Sequence, residues 1–403
     1  MQFCSEIASD AAWRRIRSRL ALAGASFFAI ITFAVNANAQ AALPYGNPQV
    51  SQIVEILSNG ARPHLAPNGQ SFVVDSRTQS GYYDLFTSDL NGNIQTSLTL
   101  GNSGIAQLDN GNGIYHPSGD YIAFISEEPV HYLSTVPPVG QIPIGDPGIG
   151  LFSNLWITNG VDFWQQTNVP LKQTANDGIP VYGTVNPRFT ADGKSVVWTQ
   201  RYVNGEPFNW GMWRLMEADL VALEPAGVAL TNERVIFAPE DGYYVTAMAF
   251  ISPTELLVSG NLDGQNVYGM DLYNLNLTTG TYTNLTNTPT YWEEGSCIAP
   301  SGRIVYMTNQ YSNYALNFNE FWVGQPLERD YVVMNPDGSN KTRLTYFNDP
   351  SYADYVPWRA VPIVCDITSD GMTVLATVGR DYGTATQAYV IWQVWLIKLN
   401  SPL

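Results

Sequence analysis

The chain has 403 residues, 45% of them apolar, enough to bury one large core. Charged residues make up 13% and aromatic residues 12%, which excludes disordered and coiled-coil proteins, both richer in charge and poorer in rings. The formal charge is −16 with no cluster of Lys and Arg beyond residue 19, which argues against a nucleic-acid partner, while 34 Gly and 25 Pro demand frequent turns.

In chain order, Arg14, Arg15, Arg17 and Arg19 come first, then an uncharged run from Leu20 to Val35, then Ala37-Asn38-Ala39. Basic, apolar and small regions in that order predict a secretory signal peptide over residues 1–39, cleaved after Ala39. The apolar run has 16 residues, short of the roughly 20 that a spanning helix needs. No later stretch is long and apolar enough to span, so the expectation is a periplasmic or secreted monomer with no membrane span in the mature chain. That chain, residues 40–403, would carry 15 basic and 33 acidic residues and retain Cys297 and Cys365.

From residue 50 onward one phrase recurs: an apolar residue, a small residue, a turn ending in Gly, then a β-rich run. Its copies are Leu65-Ala66-Pro67-Asn68-Gly69, Tyr115-His116-Pro117-Ser118-Gly119, Phe189-Thr190-Ala191-Asp192-Gly193, Ile298-Ala299-Pro300-Ser301-Gly302 and Ile367-Thr368-Ser369-Asp370-Gly371. A sixth, degenerate copy is Ile251-Ser252-Pro253-Thr254. Pro presets φ, Asn, Asp or Ser bonds its own backbone, and Gly accepts positive φ, so the phrase reads as a tight hairpin. A second strand pair follows most copies, as at Leu85–Leu90 before Asn91-Gly92. Each unit therefore reads as four antiparallel strands, A to D. The all-β fold expected is a six-bladed β-propeller, a single domain over residues 40–403. The last unit runs out at its third strand, Tyr389–Leu399, and Gln52–Ser58 resembles a D strand. The N-terminal strand is thus expected to complete the final blade.

Met334-Asn335-Pro336-Asp337-Gly338, Arg343-Leu344-Thr345 and Asn284-Leu285-Thr286 resemble the TolB-type, WD40-like (PD40) propeller repeat, over about residues 50–400. The resemblance implies a propeller of the kind used by binding proteins, enzymes and enzyme accessory domains. The chain departs from TolB in having too few residues before the first strand for its N-terminal α/β domain. It also has no Gly-x-Ser-x-Gly elbow of the hydrolases that carry a propeller.

Strand parity puts the A–B and C–D turns at one end of the ring and the B–C and D–A connections at the other. The long segments are all of the second kind: 127–150, 201–209 and 309–328 (B–C), and 99–113, 174–185 and 346–362 (D–A). Long loops gathered on one rim mark it as the working face. Its rings suit a sugar face or a protein hot spot, so a protein or glycan ligand is expected, with Trp210, Trp292, Tyr314, Trp322, Tyr355 and Trp358 as contacts.

For chemistry, the rim carboxylates Glu293, Glu294, Asp354 and Asp177 are the candidates for acid and base. Adjacent strand residues face opposite ways, so a working pair would join Glu293 or Glu294 to Asp354 or Asp177. The alternative to a binding protein is accordingly a secreted hydrolase or lyase acting on a polysaccharide or small ester. An acidic mouth could also hold Ca²⁺. His64 and His116 precede neighbouring turns at shifted positions, which points them to different faces and makes them weak metal candidates. Members of the resembled family that cleave pectic oligosaccharides use a His-rich metal site, and this chain has three His. Cys297 and Cys365, each just before an A–B turn, form either a blade-to-blade disulfide or two small buried strand residues.

Overall fold

The computed structural model describes residues 43–128, 134–136, 140–142, 147, 148, 150, 152–169, 182–203, 211–223, 227–240, 243–318, 325–381 and 390–403. The expected cleavage site after Ala39 lies outside them. The described residues form six four-stranded antiparallel sheets arranged as a six-bladed β-propeller. The A strands, which line the channel, are Ala61–Leu65, Asn110–Tyr115, Gly183–Phe189, Val245–Ser252, Glu293–Ile298 and Arg359–Ile367. The B strands are Ser71–Arg77, Ile122–Glu127, Ser195–Val203, Glu255–Gly260, Ile304–Thr308 and Thr373–Asp381. The C strands are Tyr83–Asp89, Ser153–Thr158, Met212–Ala222, Asp271–Asn276, Asp330–Met334 and Val390–Leu399. The outer D strands are Ile94–Ser97, Phe163–Gln165, Val228–Phe237, Tyr282–Asn284, Thr342–Arg343 and, for the sixth blade, Val50–Leu57. Val50 pairs with Leu399 and Val54 with Leu396, so the first strand completes the last blade and closes the ring.

The core lies between blades, where apolar strand faces stack on their neighbours. Ile114, Ala123, Leu155 and Ile157 of the second blade meet Phe189, Val196, Trp198 and Met216 of the third. The recurring phrase forms the A–B turn. Gly69 N–H donates to Ala66 O and Gly193 N–H to Thr190 O, both at 2.8 Å, with φ of +66° and +72° that glycine tolerates. In the degenerate copy Ser252 pairs directly with Glu255 around a two-residue turn.

The Leu-Thr blade ending also has a structural cause. In the fifth blade Thr345 Oγ1 donates to Asp330 Oδ1 at 2.9 Å and accepts Tyr331 N–H at 3.0 Å. Asp84 with Thr99, Asn154 with Thr167 and Asp271 with Thr286 repeat this clasp, which ties the end of a blade to the start of its own C strand.

Two features go beyond the sequence reading. The 127–150 segment contains a hairpin, Ser134–Val136 with Gly140–Ile142, that was read as plain connection. Several A strands also start earlier than read, at Asn110, Gly183 and Arg359, because each A strand carries a β-bulge. At the bulges of the first, second and fourth blades, Thr377, Asp75 and Thr199 of the preceding B strands accept the N–H of Arg62, Asn112 and Ala247. A disulfide joins Cys297 to Cys365, linking the A strands of the fifth and sixth blades.

Candidate functional site

Short turns occupy one end of the ring, and the B–C and D–A segments occupy the other. At this second end the fifth A strand begins with Glu293 and Glu294, paired with Thr308 and Met307 respectively. Successive residues of a strand point to opposite faces, and here the two carboxylates separate. Glu293 turns into the seam beside Asp271, Thr286 and Thr288 of the fourth blade and is 1% exposed. Thr308 Oγ1 donates to its Oε1 at 3.4 Å, Oε2 has no hydrogen-bond partner among the described residues, and burial pushes its carboxyl up to about 7.

Glu294 is half-buried and takes a hydrogen bond from Trp292 Nε1 at 3.1 Å. Burial raises its pKa, and the Arg329 guanidinium opposes the rise. Arg329, at the entry to the fifth C strand, is 5% exposed and lies 4.4 Å over the Trp292 ring. Burial lowers its pKa to about 10 against the pull of Glu294. Tyr268 packs on Trp292, with ring centroids 5.7 Å apart. From the fourth blade Tyr244 joins the cluster: burial first, and Glu294 second, raise its hydroxyl well above the usual range, and its ring meets Trp213 at 5.5 Å. Trp292 is 6% exposed, so it positions Glu294 and Arg329 and is not an open platform for a ring.

A glycine sets this arrangement. Gly295, at the bulge, has φ +52°, and a Cβ there would sit 1.4 Å from the Ile363 carbonyl oxygen. The fifth A strand thus presses its backbone onto the sixth, and Glu294 is held where that close approach begins.

The sixth blade supplies the adjoining wall. Arg329 N–H donates to Ala360 O at 3.0 Å, and Asn348 Nδ2 donates to Arg329 O at 3.0 Å. Arg359 Nε donates to Asp381 Oδ2 at 2.9 Å, with Tyr314 of the fifth blade beside the guanidinium. Arg380 lies 5.2 Å over Trp358. Tyr314 and Tyr355 are 42% and 41% exposed, and Trp358 is half-buried. Tyr314 and Tyr355 present open rings on this sector, and Trp358, packed on Trp395 with ring centroids 6.2 Å apart, presents part of its own.

Other sequence candidates have different placements. Asp354 is 4% exposed and accepts Gly46 N–H at 3.2 Å and Tyr346 N–H, so it fastens the chain's entry to the D–A segment. Asp177, Trp210 and Trp322 lie outside the described residues. His64 lies in the first A strand, its Nδ1 3.2 Å from Leu65 O and 3.6 Å from Asp366 Oδ2. His116 sits in the next A–B turn, with Nδ1 2.8 Å from Ser118 Oγ and Nε2 3.0 Å from Gly193 O. The structure therefore gives the two histidines separate partners. Among the described residues, no group of three or more His, Cys, Asp or Glu is gathered to hold a metal ion.

Sequence reasoning missed Arg329 and Tyr244. The available signal was the run Glu328-Arg329-Asp330 immediately before the apolar Tyr331-Val332-Val333-Met334. Charges at the mouth of a buried strand must find partners or line a cavity.

No protein-family model matches the chain, and no curated protein sequence matches it significantly. Among solved structures it is similar to TolB from Acinetobacter baumannii, with 14% identity and a TM-score of 0.43 over 73% of this chain and 54% of that one. It is also similar to a gluconolactonase from Xanthomonas campestris, with 10% identity and a TM-score of 0.48 over 89% of this chain and 94% of that one. A third is an oligogalacturonate lyase from Vibrio parahaemolyticus, with 10% identity and a TM-score of 0.43 over 89% of this chain and 96% of that one. The chain spans about half the length of the first of these, and the activities in those names belong to those proteins.

Proposed function

We propose that the protein is an exported, TolB-like binding propeller that takes a glycan or protein ligand at the channel mouth, between the fifth and sixth blades. The observation that carries this reading is the buried Arg329 guanidinium, which makes no hydrogen bond among the described residues and lies on the end where the longer segments gather. Tyr314, Tyr355 and Trp358 supply the ring surface that ligand contacts favour. Export is supported by the basic, apolar and small-residue order of residues 1–39 and fits the Cys297–Cys365 bond, which suits an oxidising compartment.

The placement of the carboxylates favours binding over turnover. Acid–base cleavage of a glycosidic bond uses two carboxylates that flank the bond. Here Glu293 turns into a blade seam and Asp354 is engaged by backbone N–H groups, which leaves Glu294 among the described candidates. One observation favours the second reading, a hydrolase or lyase: the raised pKa of Glu294 suits a general acid.

Glycan and peptide arrays probed with residues 40–403 test the choice. Capture that is lost in the triple variant Tyr314→Ala, Tyr355→Ala, Trp358→Ala supports the binding site, and unchanged capture removes it. Sustained turnover on polysaccharide or ester panels, abolished in Glu294→Gln, replaces binding with the enzyme reading.

A further inference from the structure

A buried guanidinium normally spends its donors. Arg62, equally buried in the first A strand, gives Nε and a terminal nitrogen to Asp75. Arg329 does not: its Nε is shut off from solvent without a partner, and no hydrogen bond or ion pair satisfies its terminal nitrogens. Glu294 is close enough to act on it electrostatically, yet among the described residues no carboxylate oxygen comes within 4.0 Å. Trp292 covers one face of the guanidinium, and the Arg329 backbone is pinned to Ala360 and Asn348. The group is therefore anchored, largely buried and unspent, with its terminal nitrogens on the accessible side, which is costly for folding and useful for binding. A second unspent donor, the buried Ser296 hydroxyl, lies two residues beyond Glu294 on the same strand.

We infer that Arg329 is the receptor for a carboxylate group on the ligand, with Glu294 beside it to receive a hydroxyl or amide N–H from the same molecule. This assignment rests on the binding reading above and names the chemistry of its ligand. A planar carboxylate matches the guanidinium fork. A phosphate, with up to twice the charge, would meet stronger repulsion from Glu294 and from the field of a chain whose formal charge is −16.

The test measures calorimetric affinity for two matched pairs of probes: glucuronate against glucose, and N-acetylalanine against N-acetylalaninamide. The pairs separate a sugar acid from a peptide terminus as the source of the carboxylate. The expected result is that at least one acid binds more tightly than its neutral counterpart by about tenfold, an advantage lost in Arg329→Gln. The ligand-free Arg329→Gln protein should melt no lower than wild type, since the substitution removes a buried charge that no hydrogen bond or close ion pair compensates. A clear fall in its melting temperature would make Arg329 a structural residue and overturn the assignment. Equal affinity for acid and neutral probes, or no binding of either acid, would also overturn it. If array ligands are still lost in the triple ring variant but unaffected by Arg329→Gln, the binding site stands and the carboxylate assignment falls. If no ligand is captured at all, both fall.

Discussion

The hydroxyl of Thr345 donates to Oδ1 of Asp330 at 2.9 Å while it accepts the N–H of Tyr331 at 3.0 Å. One side chain thereby satisfies a buried acceptor and a buried donor at the strand entry that also carries Arg329. Thr345→Val leaves the Tyr331 N–H unpaired and removes one of the two hydrogen bonds to Asp330 Oδ1, which keeps the Phe347 N–H at 3.0 Å, and should cost about 1–3 kcal/mol in urea unfolding. Thr286→Val, at the matching position of the fourth blade, should behave alike. A loss near zero at both sites would show that the clasp does not hold the blade ends.

Glu293 predicts a pH dependence. Its carboxyl is raised from 4.5 to about 7 by burial. Below about pH 4.5 both folded and unfolded chains hold the proton, and the group costs nothing. As pH rises towards 7 the unfolded chain releases its proton first, so stability falls; above that the loss is complete, at up to about 3 kcal/mol. Glu293→Gln should therefore match wild type near pH 4 and exceed it at about pH 8 in melting temperature. A gain that is the same at both pH values would contradict the assignment.

The Cys297–Cys365 bond closes 68 residues of chain and joins two adjacent A strands. Replacing both cysteines by serine should cost about 2–4 kcal/mol in denaturant unfolding. The wild-type protein treated with a reductant should fall to the same midpoint, and a reductant without effect would count against the bond.

Gly295→Ala tests the close approach of the fifth and sixth A strands. The added methyl meets the Ile363 carbonyl, a backbone atom that cannot swing away, at a residue with φ +52°. The expected loss exceeds about 2 kcal/mol, and any ligand held beside Glu294 should bind more weakly in the folded fraction. A variant as stable as wild type would mean that the two strands can part.

The sequence made the propeller readable because its signals are local. The Pro-Asn-Gly and Ala-Asp-Gly turns each complete a hairpin within a few residues, and Leu344-Thr345 marks a clasp closed within one blade. Even the ring closure followed from a missing fourth strand after Leu399. The site was less legible because its geometry is not local. Glu293 and Glu294 look alike in sequence, and only the pairing with Thr308 and Met307 and the bulge at Gly295 send them to different places. Trp292 reads in sequence as a ligand contact, and in the structure its indole serves Glu294 and Arg329. Asp354 read as a rim acid, and its oxygens hold Gly46 and Tyr346. In each case the side chain's task depends on a residue distant in the chain.

The two kinds of bond that knit the ring fall in different places. The Asp-Thr clasp closes inside a single sheet, whereas the bonds that Arg62 N–H donates to Thr377 and Asn112 N–H donates to Asp75 join an A strand to the B strand of the preceding blade. A segment transplanted between propellers of this kind should therefore be cut between an A strand and its own B strand, so that each donor travels with its acceptor. Grafts cut at sheet boundaries would carry the clasps intact and sever the stitches that register one sheet against the next.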